Sequence, residues 1–456
     1  MSQMDLFIQK LLAAAKAAGV DPAEVCYVES SSFSVEAMEG KIEQYEVSSA
    51  RRLGLRGAVE GRMGYASTEA FDDGAIAMLV SGVKDSAALA EAEEQEEIYG
   101  MDDAYPELTP VESDIDGVSP EDKIAMCLRM EEAAKAFDAR ISKSQGAFVG
   151  TSRGLMRLVN SKGLDLTAET PQGGILSAGV FLVAKDGDST TTGGHFEATR
   201  RVGDFDPVAV GQAAAEEAVS QLHARPVESG VYKAVLRWDV MQAMLATFSG
   251  VFSAENAQKK LSLLAGREGE TIAAPCVTLI DDPLLPGGMA TAAFDADGAA
   301  CRTKAVILDG VLETLLHNRK TAKKQGVETT GNASRTGVGG PVRVAPTNLF
   351  LQPGTRSAAD LIRDMDDGLL ITDISGLHAG ANPISGDFSL IARGFLVVNG
   401  EIGRPVEQIT VAGNFYQLLK EIREVGSDLI FQGRSIGSPS VAVEAISVSG
   451  ADSVQP

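Results

Sequence analysis

Residues 374–414 read ISGLHAGANPISGDFSLIARGFLVVNGEIGRPVEQITVAGN. Short strand-like runs are separated here by Gly, Pro and Asn, the residues that end strands and set turns. The same texture holds for most of the chain beyond Thr271, where only 312–325, 357–364 and 415–424 have a helical pattern. This half of the chain, residues 227–456, is expected to form a β-rich domain, sandwich- or barrel-like.

The stretch also carries polar residues that a plain core strand does not need: His378, Asn382, Ser385, Asp387, Arg393 and Asn414. Gly376, Gly380, Gly386 and Gly394 let backbone approach backbone, or a ligand, closely. Such a surface can accept an extended peptide as an added strand, with main-chain hydrogen bonds giving affinity without strict sequence choice. The plain alternative is a well-turned β-meander whose polar side chains only cap loops.

Upstream, residues 5–18 have apolar side chains at helical spacing, and Gly19 stops them. Residues 25–45 alternate in strand fashion around Gly40, and 51–65 have strand character broken by glycines. Residues 72–92 return to the helical period, and the acidic segment 93–110 reads as an exposed linker. A second pass begins at Ser119-Pro120-Glu121-Asp122, a helix start with a Ser cap, Pro in the first turn and acids beside them. Residues 145–198 are strand-rich, with turn signals at Arg153-Gly154, Lys162-Gly163 and Asp186-Gly187, and 206–223 are helical again. The fold class is therefore α+β. A duplicated helix–strands–helix region (1–226, with halves 1–110 and 115–226) precedes the β-rich domain.

Composition narrows the function. The chain has 456 residues and a formal net charge of −23, so its field repels phosphate backbones and anionic lipid, and direct nucleic-acid binding is disfavoured. No apolar run approaches the length of a membrane span. The first residues have no leading basic cluster of a secretory signal, and a cytoplasmic location is expected. The four cysteines (Cys26, Cys127, Cys276, Cys301) form no CxxC pair, which fits free thiols in a reducing compartment.

Motifs for chemistry are scarce. The four histidines (His195, His223, His317, His378) lie too far apart in sequence for one helix to present two to a metal. There is no phosphate-binding GxxxxGK[ST] loop, and the glycines at 337–340 precede a proline rather than a helix. Asp281-Asp282 and the acids at 364–367 read as solvated turns, with a calcium or magnesium site as the lesser reading.

At 374–414 the chain resembles the TldD/PmbA family (the second member is also called TldE), which contributes to a bacterial peptidase and was once described as a modulator of DNA gyrase. Further matching residues are Asn160-Ser161-Lys162-Gly163, the run 277–283 (VTLIDDP), the run 294–298 (FDADG) and 310–312 (GVL). Others are 331–335 (GNASR), Thr347-Asn348-Leu349 and Val411-Ala412-Gly413-Asn414. The resemblance implies a heteromeric arrangement. One partner, TldD, is a zinc peptidase with an HExxxH helix and a late cysteine ligand; the other, PmbA, is a relative without those ligands. Here the matching helix falls in 239–255 (DVMQAMLATFSGVFSAE) and holds no histidine, and the region 433–437 holds no cysteine. By this resemblance the chain is a PmbA-type subunit with no catalytic or metal-binding residue of its own, and zinc is expected in a TldD-like partner.

The expected roles follow. Backbone around Gly376, Gly380 and Gly386 would bind a peptide strand, and His378, Asn382 and Asp387 would fix the loop or contact the peptide. Arg393 or Arg434 could receive a peptide carboxylate, because a guanidinium binds it bidentately. Self-association as a homodimer is a further possibility. The rivals are a stand-alone peptidase with an unrecognised site and a non-enzymatic homodimeric peptide-binding regulator.

Overall fold

A computed structural model describes residues 3–90 and 96–451. The first half-unit runs α1 (Gln3–Ala17), β1 (Ala23–Met38), β2 (Lys41–Val59), β3 (Arg62–Thr68) and α2 (Asp73–Leu89). Asp72 caps α2 by accepting the N–H of Ala75. The second runs α3 (Pro120–Phe137), β4 (Ile141–Asn160), β5 (Asp165–Glu169), β6 (Ile175–Asp186), β7 (Ser189–Thr199) and α4 (Pro207–Ser220). Ser119 caps α3 as its sequence signature predicts, accepting the N–H of Asp122.

These strands form one antiparallel sheet, in the order β3-β2-β1-β4-β6-β7 with β5 also on β4. The two half-units meet where β1 pairs with β4, so the order is palindromic about that ladder. In β1, Ala23, Val25 and Tyr27 bury beneath α1 and α2, while Phe33, Val35 and Ala37 bury beneath α3 and α4. All six are odd-numbered, so both helix pairs lie on one face of the sheet. The opposite face is covered only in part. Glu24 and Cys26 are buried there, but Ser30 and Ser32 are exposed.

The C-terminal half covers that part. It begins with β8 (Gly230–Leu236), α5 (Trp238–Phe248), α6 (Ala254–Gln258), β9 (Leu279–Asp281), β10 (Lys304–Leu308) and β11 (Val311–Leu312). It continues with α7 (Arg319–Gln325), β12 (Ala333–Arg335), β13 (Val342–Val344), β14 (Leu349–Leu351), α8 (Ala358–Met365) and β15 (Gly368–Ser375). After α9 (Leu377–Gly380) come β16 (Asp387–Val398), β17 (Glu401–Asn414), α10 (Phe415–Glu421), β18 (Ile422–Val425), β19 (Ile436–Gly437) and β20 (Val441–Ser449). Strands β8, β15, β16, β17 and β20 pair in a ring that closes through β17 and β20. This is a barrel rather than a sandwich, and closure leaves no bare edge around the ring. A second sheet, β11-β10-β9-β14-β19, shares its core. Phe248 of α5 stacks on Phe415 at 4.7 Å between centroids inside that core.

Four sequence expectations change. Asp281 is not in a solvated turn: it lies fully buried in β9. Arg153-Gly154 is no turn: both lie within β4, and a Cβ on Gly154 would sit 2.7 Å from the Thr170 carbonyl oxygen. That glycine serves close backbone approach instead. The helix expected over 312–325 is confined to Arg319–Gln325, because the preceding residues form β11 and an extended run. The acidic segment 93–110 is not an exposed linker where it is described. Residues 93–95 lie outside the described residues, but Ile98 is fully buried. Beyond it, Asp102 pairs with Arg319, and the Tyr105 hydroxyl donates to the Gly298 carbonyl at 2.8 Å. Glu96, Glu97 and Asp102 pair with Lys320, Lys323 and Arg319 of the C-terminal half, and Glu96 also faces Arg56, which holds the segment down.

Candidate functional site

The residues singled out in 374–414 do not gather at one point. Gly376, at φ +85°, opens the single turn α9, and a Cβ there would meet nothing. His378 is exposed on α9 and makes no hydrogen bond to the described residues. Gly380 packs α9 against β16, since a Cβ would come within 2.2 Å of the Ser389 carbonyl oxygen. Asn382 accepts the N–H groups of Ile384 and Ser385 at 2.9 and 3.2 Å, an Asx-type turn that shapes the loop. Asp387 accepts from the Asn414 amide at 2.9 Å, and bonds from Asn414 and Ser385 hold its carboxyl below the ordinary carboxylate value. Arg393 faces another way. It pairs with Asp373 at 3.2 Å and donates to the Thr192 carbonyl of β7 at 2.7 Å, tying the barrel to the N-terminal sheet. Arg434 lies apart, in the cleft described below.

Most of the other matching motifs converge on a buried junction. Arg56 of β2 is 2% exposed and its guanidinium meets Glu24 at 2.9 Å and Asp297 at 3.3 Å. Arg335 reaches the same Glu24 from the C-terminal half and donates to the Ala296 carbonyl. Asn160 donates to Glu24 at 3.1 Å and to the Tyr99 carbonyl at 2.8 Å. Burial alone would raise the Glu24 pKa, but Arg56, Arg335 and Asn160 together hold it below its ordinary value. A second buried knot joins Asp281 to Lys304 at 2.9 Å and to the Asn332 amide at 2.8 Å. Asn348 donates to the Asp282 carbonyl at 2.8 Å. The first knot ties the two halves together and the second braces the C-terminal half from within, so these motifs build scaffold.

Elsewhere along the same seam the halves stand apart. A cleft of about 630 Å³ opens between β7, the loop 285–289 and the loop 430–434, with Trp238 at the start of α5 in its wall. β7 is an edge strand of its sheet. Gln432 donates to the Phe196 carbonyl of β7 at 2.7 Å, and Arg393 caps Thr192 on the same strand. Gly433, at φ +69°, brings the loop against β7, where a Cβ would lie 2.4 Å from that of Ala198. His195 and Glu197 pair at 3.3 Å on the cleft wall. Arg200 donates to the carbonyls of Gln172 and Gly288 at 2.9 and 3.4 Å. Of the residues lining this cleft, the sequence pointed only to Arg434.

The two stretches where the resemblance would place zinc ligands in a TldD-type chain, 239–255 and 433–437, lie side by side at this seam, and neither holds a His or Cys. On α5, Val240, Met241, Met244, Leu245 and Phe248 face the core. Gln242, 4% exposed, donates both amide hydrogens to the loop, to the carbonyls of Phe431 at 2.9 Å and Ile436 at 2.8 Å. A side-chain amide joins helix and loop here, with no imidazole or thiolate on either. Among the described residues, no group of three or more His, Cys, Asp and Glu is placed to hold a metal ion. Two Gly-x-Ser-x-Gly runs, 150–154 and 433–437, lie within β4 and at β19; neither forms the strand-to-helix elbow of a nucleophilic serine. No helix of the described residues is long and apolar enough to cross a membrane.

Three family models match: PmbA/TldA metallopeptidase domain 1 over residues 23–92, the central domain over 113–222 and the C-terminal domain over 229–450. A solved structure from Thermotoga maritima, named for modulation of DNA gyrase, is 32% identical, covers 98% of this chain and 100% of its own, and has a TM-score of 0.89. Metalloprotease PmbA of Escherichia coli O157:H7 is 28% identical over 418 residues, 90% of this chain and 88% of that protein. TldE from Thermococcus kodakarensis shares the fold at a TM-score of 0.88 and 23% identity, over 97% of this chain and 100% of its own.

Proposed function

The chain belongs to the PmbA/TldD metallopeptidase family, and from that premise we propose that it is a PmbA/TldE-type subunit that holds no catalytic metal. It works in the cytoplasm beside a TldD-like zinc peptidase subunit and presents linear or unfolded peptide to it. The observation that carries this reading is Gln242. Its amide fastens α5 to the loop 431–436, where a metal-bearing relative would need imidazole and thiolate ligands. Zinc then belongs to the partner chain, which lowers the pKa of a bound water for hydrolysis. This chain's part is to bind and orient peptide. The cleft beside β7 suits an extended segment, because an edge strand offers main-chain partners to an incoming strand. Gln432 and Arg393 occupy two carbonyls of that edge, and an added strand can replace such side-chain bonds.

The test is co-expression with an HExxxH-bearing family member from the same genome. The expected result is a co-purifying complex that cleaves unfolded peptide, stoichiometric zinc in the complex and none in this chain alone. Chelator-insensitive cleavage by the isolated chain would make it a peptidase in its own right. Failure of any complex to form, with no gain in the homologue's activity, would leave a self-associating peptide-binding regulator.

A further inference from the structure

The cleft holds two guanidinium groups with no acid beside them. Arg200 donates to two carbonyl oxygens and to the Met289 sulfur, none of them charged, and the Arg434 side chain has neither hydrogen bond nor ion pair among the described residues. This is unusual company in a chain of net charge −23. Elsewhere on the same seam the arginines are neutralised: Arg56 by Glu24 and Asp297, Arg237 by Glu217 and Asp239, Arg393 by Asp373. The acids of the cleft do not serve the pair, since Glu197 is engaged with His195 and Asp204 sits exposed at the rim. Unpaired guanidinium groups in a recess call for an anion from outside, and a carboxylate matches their fork geometry.

The walls state what else the anion carries. Phe196 and Trp238 line the same space, together with Leu285, Pro286 and Met289. Phe196 also belongs to an aromatic row on the helix-free face of the sheet, stacked on Phe148 at 5.9 Å, with Phe148 on Phe181 at 6.5 Å. Glycines make room for these rings: a Cβ on Gly194 would lie 2.4 Å from the Phe181 ring. A free inorganic anion has no use for such walls, whereas an apolar chain ending in a carboxylate uses both.

We propose that this cleft is a terminus-recognition site: Arg200 and Arg434 bind the C-terminal carboxylate of a linear peptide, and Phe196 and Trp238 flank its last apolar side chains. The site thus selects free C-terminal ends over internal segments. The inference rests on the peptide-presenting role and sharpens it.

Trp238 is the only tryptophan of the chain, so intrinsic fluorescence reports this cleft directly. The experiment titrates the full-length chain with an alanine–leucine pentapeptide in two forms, free acid and C-terminal amide. The free acid is expected to shift Trp238 emission and to bind about tenfold or more tightly than the amide, as a charge-assisted pair requires. Arg434→Gln is expected to remove that preference. Arg200→Lys, which keeps the charge but not the fork, is expected to reduce it in part; circular dichroism verifies the fold of both variants. Equal affinity for acid and amide overturns terminus recognition and leaves the peptide-presenting role standing. Acetate or phosphate shifting Trp238 as strongly as the free acid identifies a small anion as the ligand and overturns the proposal. Failure of both peptides to bind, alone and in the mixed complex, overturns the proposal and the role together.

Discussion

The N-terminal sheet meets the C-terminal half at two places built on opposite rules. At the Glu24–Arg56 junction, charged groups are buried, and Arg56 and Glu24 are matched across the seam by Asp297 and Arg335. At the cleft beside β7, space is left open and two arginines lack acids. The first place pins the halves together; the second is what pinning them makes possible. Motif residues such as Asn160, Asp297 and Arg335 concentrate in the first. They therefore mark a shared architecture more than a shared chemistry.

The sharpest way to break the comparison is to unbalance the junction. Arg56→Met leaves Glu24 and Asp297 buried without their main counter-charge, and is expected to cost about 3–5 kcal/mol, read as a fall in the urea unfolding midpoint. The same site gives a pH signature. Glu24 is held below its ordinary value in the folded chain. Its contribution is therefore complete above the unfolded value of about 4.3 and is lost as the pH falls through the folded one. Midpoints measured below pH 4.3 should drop, and Glu24→Gln should flatten that limb.

Next in size is Gln242→Leu, which strips the bonds to the carbonyls of Phe431 and Ile436 and is expected to cost about 1–3 kcal/mol. Hydrogen exchange should show the loop 431–436 loosened while the junction around Glu24 keeps its protection. Arg393→Met, at a half-buried ion pair, should cost about 1 kcal/mol and raise exchange at the Thr192 end of β7. Smallest is Arg434→Gln: an exposed, unpartnered side chain should leave thermal stability within about 0.5 kcal/mol. A large loss there would mean that the cleft, too, is built for stability, and the contrast would collapse.

Much of the architecture was legible. The Ser119 cap, the helical periods and the glycine-punctuated strands are local signals, and local physics honoured them. Barrel closure was visible only as a class, because the pairing of β17 with β20 joins residues far apart in sequence. The reading of Arg153-Gly154 as a turn failed because glycine serves both turns and close strand approach, and a single sequence does not say which. The acidic segment looked solvated because its cationic partners, Arg319 and Arg56, sit in distant parts of the chain. For the site, the absence of His and Cys from 239–255 is a plain sequence fact. The cleft could not, because it is formed by β7, the loop 285–289 and the loop 430–434 meeting in space.

β1 and β4 run unbroken beneath both helix pairs, over 16 and 20 residues. A continuous ladder of that length works like a beam. The two N-terminal half-units have no joint between them, so any opening or closing at the cleft swings the sheet as a whole against the barrel. The Glu24–Arg56 knot is where that beam is bolted to the C-terminal half, through Asp297 and Arg335.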